Sequence, residues 1–328
     1  MIPPRYAAPL LAGLLLGGCD NSADSAAEAL PLTEQSGAYS ADLSADGRYA
    51  LVGAVSHGGS LWELQQRARL FDWNHQPRTF SVLSAVDFSP SGQYALTASP
   101  QDLVLWNVAT GAAEGFWSSP GEVLDAELSS QGNYALLGLA NHEAVYFDIR
   151  NGGVRSSLRH PARVRSVALS SDERVALTGA DDRIARLWDL ENASELRRIE
   201  LGNTVDTVAL SPNGRLAFSS GSLDQALVWQ TDSGEVLFNL SGDERFFPRR
   251  LSYLSARFSA NSDQLLTGRA DGTVELWDLN RQQVMRRWKL DKRDSYGPTS
   301  TGVIAVEFGQ DGRSWLAIGS NGMINWLR

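Results

Sequence analysis

A single cysteine, Cys19, stands in a chain of 328 residues, which excludes an internal disulfide framework and any zinc site built from several thiolates. Histidine is nearly as scarce. His57, His75, His142 and His160 form no HExxH, no HxH and no i,i+4 pair, so no metal is expected. The phosphate-cradling Walker loop and GxGxxG are missing, as is the nucleophile elbow GxSxG, so neither a cofactor nor catalysis is expected. A calcium-like opening, Asp42 to Gly47 ("DLSADG"), lacks its closing glutamate, because Gly53 holds that position. Positive charge is also short. Twenty-nine basic residues face 38 acidic ones for a net charge of −9, a surface that repels nucleic acid and anionic headgroups.

What is present begins at the N-terminus. Arg5 precedes an apolar stretch from Ala7 to Leu16, about half the length a membrane-spanning helix needs, which matches the first two regions of a secretory signal. The small residues that follow, Leu16-Gly17-Gly18-Cys19, resemble the lipobox of bacterial lipoproteins. That resemblance implies a signal peptide over residues 1–18 and a lipid on the sulfur of Cys19. It places the protein in a bacterial cell envelope, anchored on the periplasmic side. Asp20 resembles the retention signal that favours the inner over the outer membrane. Residues 19–27 lie within an acidic, Ala- and Ser-rich stretch without aromatics, the composition of a flexible tether.

From Glu28 onward the chain repeats itself. A turn-forming tetrapeptide recurs at Ser44, Ser89, Ser129, Ser170, Ser211, Ser259 and Gly309, each time between two apolar runs such as "VDTVAL" and "RVALTGA". Each unit reads as two strands joined by a tight turn. A third run then ends in a large aromatic: Trp62, Trp106, Phe147, Trp188, Trp229, Trp277 and Trp326. The separation from turn to aromatic is 17 or 18 residues in every unit.

Four of these aromatics sit in "LWE", "LWN" and two copies of "LWD", and here the chain resembles the WD-repeat family of β-propellers. The resemblance implies an all-β fold, a seven-bladed β-propeller of four-stranded antiparallel blades over residues 28–328. It also implies that His160, Thr178, Asp182 and Trp188 form a structural hydrogen-bonded relay across one blade. His75, in "NHQP", resembles a second copy of the family's histidine. Inner strands such as "RVALTGA" are apolar throughout, as expected where both faces of a blade are covered.

Only Leu327 and Arg328 follow the last aromatic, so the seventh blade lacks an outer strand of its own. Counting back from Ser44 by the spacing of the middle repeats lands on Glu28, and residues 28–34 are expected to close the ring. Pro31 is tolerable there because an outermost strand leaves one side unpaired. Three connections between units exceed the base length: Asn74 to Leu83, Ser241 to Leu254 and Asp291 to Gly302. All emerge on one face, since antiparallel strands alternate ends. Phe246, Phe247, Arg249, Arg250, Tyr253, Lys292, Arg293 and Tyr296 combine aromatics with basic residues, as interface hot spots do. The alternative is that the aromatics only pin long loops to the rim.

The resulting expectation is a monomeric, lipid-anchored scaffold that binds protein partners through one face, contacts the membrane through its lipid and does not bind nucleic acid. An enzyme or small-ligand binder using the central channel is the alternative. A convergent acid cluster in the channel favours the second, and exposed aromatic and arginine residues on the loop face favour the first.

Overall fold

The computed structural model describes residues 23–33, 37–223, 225–240, 251–293 and 301–328. Seven sheets follow one another around a ring, with strands in chain order from the channel outward except where N-terminal segments form the outermost strands of the last two. The innermost strands are Ala38–Leu43, Ala85–Phe88, Val123–Leu128, Val164–Leu169, Val205–Leu210, Tyr253–Phe258 and Val303–Phe308, which number blades one to seven. The fold is therefore a seven-bladed β-propeller of four-stranded antiparallel blades, as the repeat spacing requires.

Six of the seven blades start with the same local chemistry. In blade one the Ser44 hydroxyl accepts the Tyr49 amide (2.8 Å), while the Gly47 amide donates to the Ser44 carbonyl (2.7 Å) and closes the turn. The same serine bond recurs at Ser89, Ser129, Ser170, Ser211 and Ser259. Gly47 sits at φ +61°, a left-handed conformation that glycine adopts without steric cost. Between neighbouring blades the strands bury apolar layers: Leu136, Ala144 and Val167 pack with Trp188, and Leu266, Val274 and Leu316 lie in the layers that flank blade seven.

The ring closes through the N-terminus. Glu28–Pro31 pairs antiparallel with Met323–Leu327, aligning Glu28 with Trp326 and Pro31 with Met323. Leu32 is fully buried beyond it, its amide donating to the Gly322 carbonyl (2.8 Å), and the Glu28 carboxylate pairs with Arg67 of blade one. Closure also begins earlier than expected. Asp24–Ser25, assigned by composition to the tether, runs parallel to the outer strand of blade six, with Asp24 beside Trp288 and Ser25 beside Lys289. Blade six thus gains a fifth strand. An otherwise unpaired edge offers backbone partners to any extended chain held next to it, whatever that chain's composition.

Candidate functional site: the channel wall and the loop face

Two residues before each turn, the innermost strands present Asp42, Asp87, Glu127, Ala168, Ala209, Arg257 and Glu307 around the channel. Apart from Asp42 in the calcium-like opening, the sequence motifs single out none of these residues. Their signal was available as a charge inside an apolar run at constant offset from the turn. Most of this polar wall is occupied in joining blades. The Phe88 amide donates to Asp42 (2.8 Å), the Leu128 amide to Asp87 (2.7 Å), and the Val167 amide to Asp125 (2.9 Å). Further round, the Val208 amide donates to the Ser166 hydroxyl (3.1 Å). The Thr207 hydroxyl donates to the Tyr253 carbonyl (2.7 Å), and that of Ser255 to the Val303 carbonyl (2.9 Å). Arg257 then bridges Glu307 of blade seven and Asp42 of blade one, both at 3.1 Å.

The electrostatics follow from this crowding. Burial raises the Asp42 and Asp87 carboxyls above the ordinary range, and for Asp87 the neighbouring Asp42 and Glu127 add to the effect. Asp125 is pushed up to about 6, Glu307 to about 7 and Glu127 to about 8, with burial the main cause in each case. Arg257, attracted first by Glu307, is held more firmly protonated than usual. The Arg257 side chain is 38% accessible. Glu127, Arg257 and Glu307 line a cavity of about 320 Å3 that opens among the turns, on the face opposite the long loops.

The loop face carries a different surface. Within Asn74 to Leu83, the His75 amide donates to the Ser81 hydroxyl (2.7 Å) and the Ser81 amide to Asn74 Oδ1 (3.0 Å). The Ser40 hydroxyl of blade one donates to the Leu83 carbonyl (2.9 Å). This loop is tied down, yet it displays Phe80 at 66% exposure together with Val82 and Arg78. Tyr39, next to Ser40, and Val55, whose amide donates to the Gly37 carbonyl, are exposed on the same face.

The interface residues expected from the other two long loops fare differently. Phe246, Phe247, Arg249, Arg250 and Tyr296 lie outside the described residues. Tyr253 is no surface anchor. It is 1% exposed within the innermost strand of blade six, edge-on to Phe218, and belongs to the core. Arg293 is half-buried and donates to the Thr33 hydroxyl (3.0 Å) and carbonyl (2.9 Å), fastening the closing strand. Lys292 is exposed.

The structural relay in blade four takes three of its four expected members. His160 Nδ1 lies 2.9 Å from the Leu158 carbonyl, so it carries the proton and donates. Nε2 then accepts from the Thr178 hydroxyl (2.8 Å), whose oxygen accepts from the Trp188 indole (2.9 Å). Burial lowers His160 to about 4, which keeps it neutral. Asp182 stands apart. Its carboxylate accepts from Arg186 (3.1 and 2.6 Å), a guanidinium that outcompetes a neutral imidazole. Blade two repeats the relay through His75, Thr97 and Trp106.

The class defined by this geometry is a β-propeller with WD-like blades. The family profile described as WD domain, G-beta repeat matches residues 153–189, the outer strand of blade three with the three inner strands of blade four, and 250–278, the three inner strands of blade six. No curated protein matches the chain.

Proposed function

We propose that this chain is a lipid-anchored binding module of a bacterial envelope, held on the periplasmic side through Cys19, with slight preference for the inner membrane. Its loop face receives a protein partner. The observation that carries this reading is the exposed group of Phe80, Val82, Tyr39 and Val55 on a loop fixed by its own hydrogen bonds. Apolar side chains held out into water by an ordered loop favour a partner that covers them. The match to WD repeats supports the same reading, since such propellers commonly bind proteins. No reaction is assigned to the chain.

The test replaces Tyr39, Phe80 and Val82 by Ser together and compares crosslinked adducts in intact cells. The variant is expected to fold and to lose most of the adducts formed by the wild type, whereas an unchanged adduct pattern overturns the loop-face assignment. Cys19→Ser is expected to release the protein from membranes or stall its processing, and unchanged detergent-dependent fractionation overturns the anchor.

A second reading is favoured by the cluster of Glu127, Arg257 and Glu307 at the channel mouth. It has the cavity bind a small cationic or zwitterionic ligand. A ligand that raises the melting temperature of the wild type but not of Glu127→Gln would move the function to the channel.

A further inference from the structure

The chain is acidic as a whole, but its basic residues are not evenly spread. Its only two lysines, Lys289 and Lys292, fall between Arg281 and Arg293, a stretch that also holds Arg286 and Arg287 and a single acid, Asp291. This stretch forms the outer rim of blade six together with Asp24–Ser25, which pairs along part of its edge. Arg287 turns inward to Glu275 (2.7 Å) and Arg293 is tied to Thr33. The others face solvent. Arg281 is 73% exposed, 3.8 Å from Asp278, and Lys289 is half exposed beside Asp271. Lys292 and Arg286 have no carboxylate within ion-pair range among the described residues, and exposed Met285 lies next to Arg286.

The same rim is where the N-terminal chain joins the propeller, through the pairing of Asp24–Ser25 with Trp288–Lys289. Cys19 is five residues from Asp24, a reach of at most about 18 Å for extended chain. An anchor on Cys19 therefore cannot hold the ring at an arbitrary distance or angle. Whatever surface the lipid enters must pass close to blade six.

We propose that the outer rim of blade six, with Arg281, Arg286, Lys289 and Lys292, docks on the anionic bilayer surface that receives the lipid on Cys19. The inference rests on the lipid-anchor reading above. Charge complementarity selects the occupant, because each cation near an anionic surface favours binding by about fivefold, an attraction that salt screens. The consequence is an orientation. The ring stands on its edge, and the loop face and the channel mouth both open sideways, parallel to the membrane, where a second envelope protein can reach them.

The two lysines make the test specific. The full-length lipidated protein is reconstituted on phosphatidylcholine vesicles with or without phosphatidylglycerol. It is then treated with a water-soluble lysine-acylating reagent, and modification of Lys289 and Lys292 is followed by peptide mass spectrometry. At low salt, modification is expected to be at least threefold slower with phosphatidylglycerol. The protection is expected to disappear at high salt and in the Arg281→Gln/Arg286→Gln variant, which leaves both lysines in place as reporters. Equal rates on the two vesicle types overturn the rim proposal, as does protection unaffected by the two substitutions. Flotation on pure phosphatidylcholine vesicles reads the anchor separately. Loss of flotation there overturns the anchor reading, whereas lysine protection by phosphatidylglycerol still decides whether the rim binds anionic lipid.

Discussion

Blades four and six, the two that match the WD profile, place opposite charges at the same structural position. Arg186 pairs across the sheet with Thr178, and Glu275 pairs in the same way with Thr267. Arg186 is buried between Asp182 (2.6 Å) and Glu195 (3.2 Å). Glu275 is buried between Arg269 (3.3 Å) and Arg287 (2.7 Å). The scaffold thus requires a compensated charge at this point and is indifferent to its sign, because desolvation penalises either charge and only partners offset it. The blades also differ beside the indole. Trp188 donates to Thr178 and is backed by His160, whereas the Trp277 indole has no acceptor among the described residues. The position equivalent to His160 in blade six is Arg249, outside the described residues.

The sharpest way to break this symmetry is to remove the central charge. Glu275→Ala leaves Arg269 and Arg287 facing each other in a buried site. Arg186→Ala does the reverse with Asp182 and Glu195. Each is expected to cost about 3–5 kcal/mol of stability, measured by urea denaturation, because two like charges then share a largely desolvated site without the opposite charge between them. If either substitution is neutral, the charges are solvated and the compensation argument fails.

A smaller effect separates the relays. His160→Ala is expected to cost about 1–3 kcal/mol by leaving the Thr178 hydroxyl without its acceptor, while partner binding survives in the folded fraction. Thr178→Val should likewise cost more than Thr267→Val, by roughly 1–2 kcal/mol, since only Thr178 holds both an indole and an imidazole. Equal costs would show that the relay adds nothing. Loss of partner binding in a fully folded His160→Ala protein would instead make this histidine functional.

The smallest effect is a pH dependence that distinguishes the blade interiors from the channel wall. Burial holds both His160 and His75 at about 4, below the usual histidine value of 6.5. Folding therefore favours their neutral forms, and the stability they contribute is present above pH 6.5 and lost as the pH falls towards 4. Asp125, Glu307 and Glu127 are raised to about 6, 7 and 8. Folding favours their protonated forms, so that contribution is present below the ordinary carboxylate range and lost as the pH rises through 6 to 8. The melting temperature should fall between pH 6.5 and 8.5 in the wild type and fall less in Glu127→Gln. His160→Ala should leave that slope unchanged and reduce only the loss below pH 6.5. A flat profile above pH 6.5 would mean that the channel carboxyls ionise freely in the folded ring.

Much of the propeller was legible because its signals are local. Ser44 and its counterparts close hairpins with amides five residues away, so turn and strands declare themselves within one short window. Closure by Glu28 was legible from spacing, since every blade needs an outer strand and the last one had none left. The channel wall was not. Asp42, Asp87 and Asp125 bond to amides 46, 41 and 42 residues away, and before the ring forms nothing distinguishes them from solvated acids. Tyr253 was misplaced for a related reason. Its aromatic, basic neighbourhood suggested an interface, but its register at the start of the innermost strand, opposite Arg269, turns it into the core. Asp182 fits the relay by resemblance, yet Arg186, four residues on, claims it once both lie in one buried strip.

By itself, then, the sequence determined the repeat, the number of blades, the hairpin turns and the need for a borrowed strand, because hydrophobic period and turn chemistry act over a few residues. Only the tertiary structure decided which charges face the channel, which pair inside a blade and where the N-terminal chain meets the rim. The channel contacts and the N-terminal pairing join groups some forty or more residues apart, the pairs inside a blade form only once its strands lie side by side, and burial sets the energy of each charge only after the blades have closed around it.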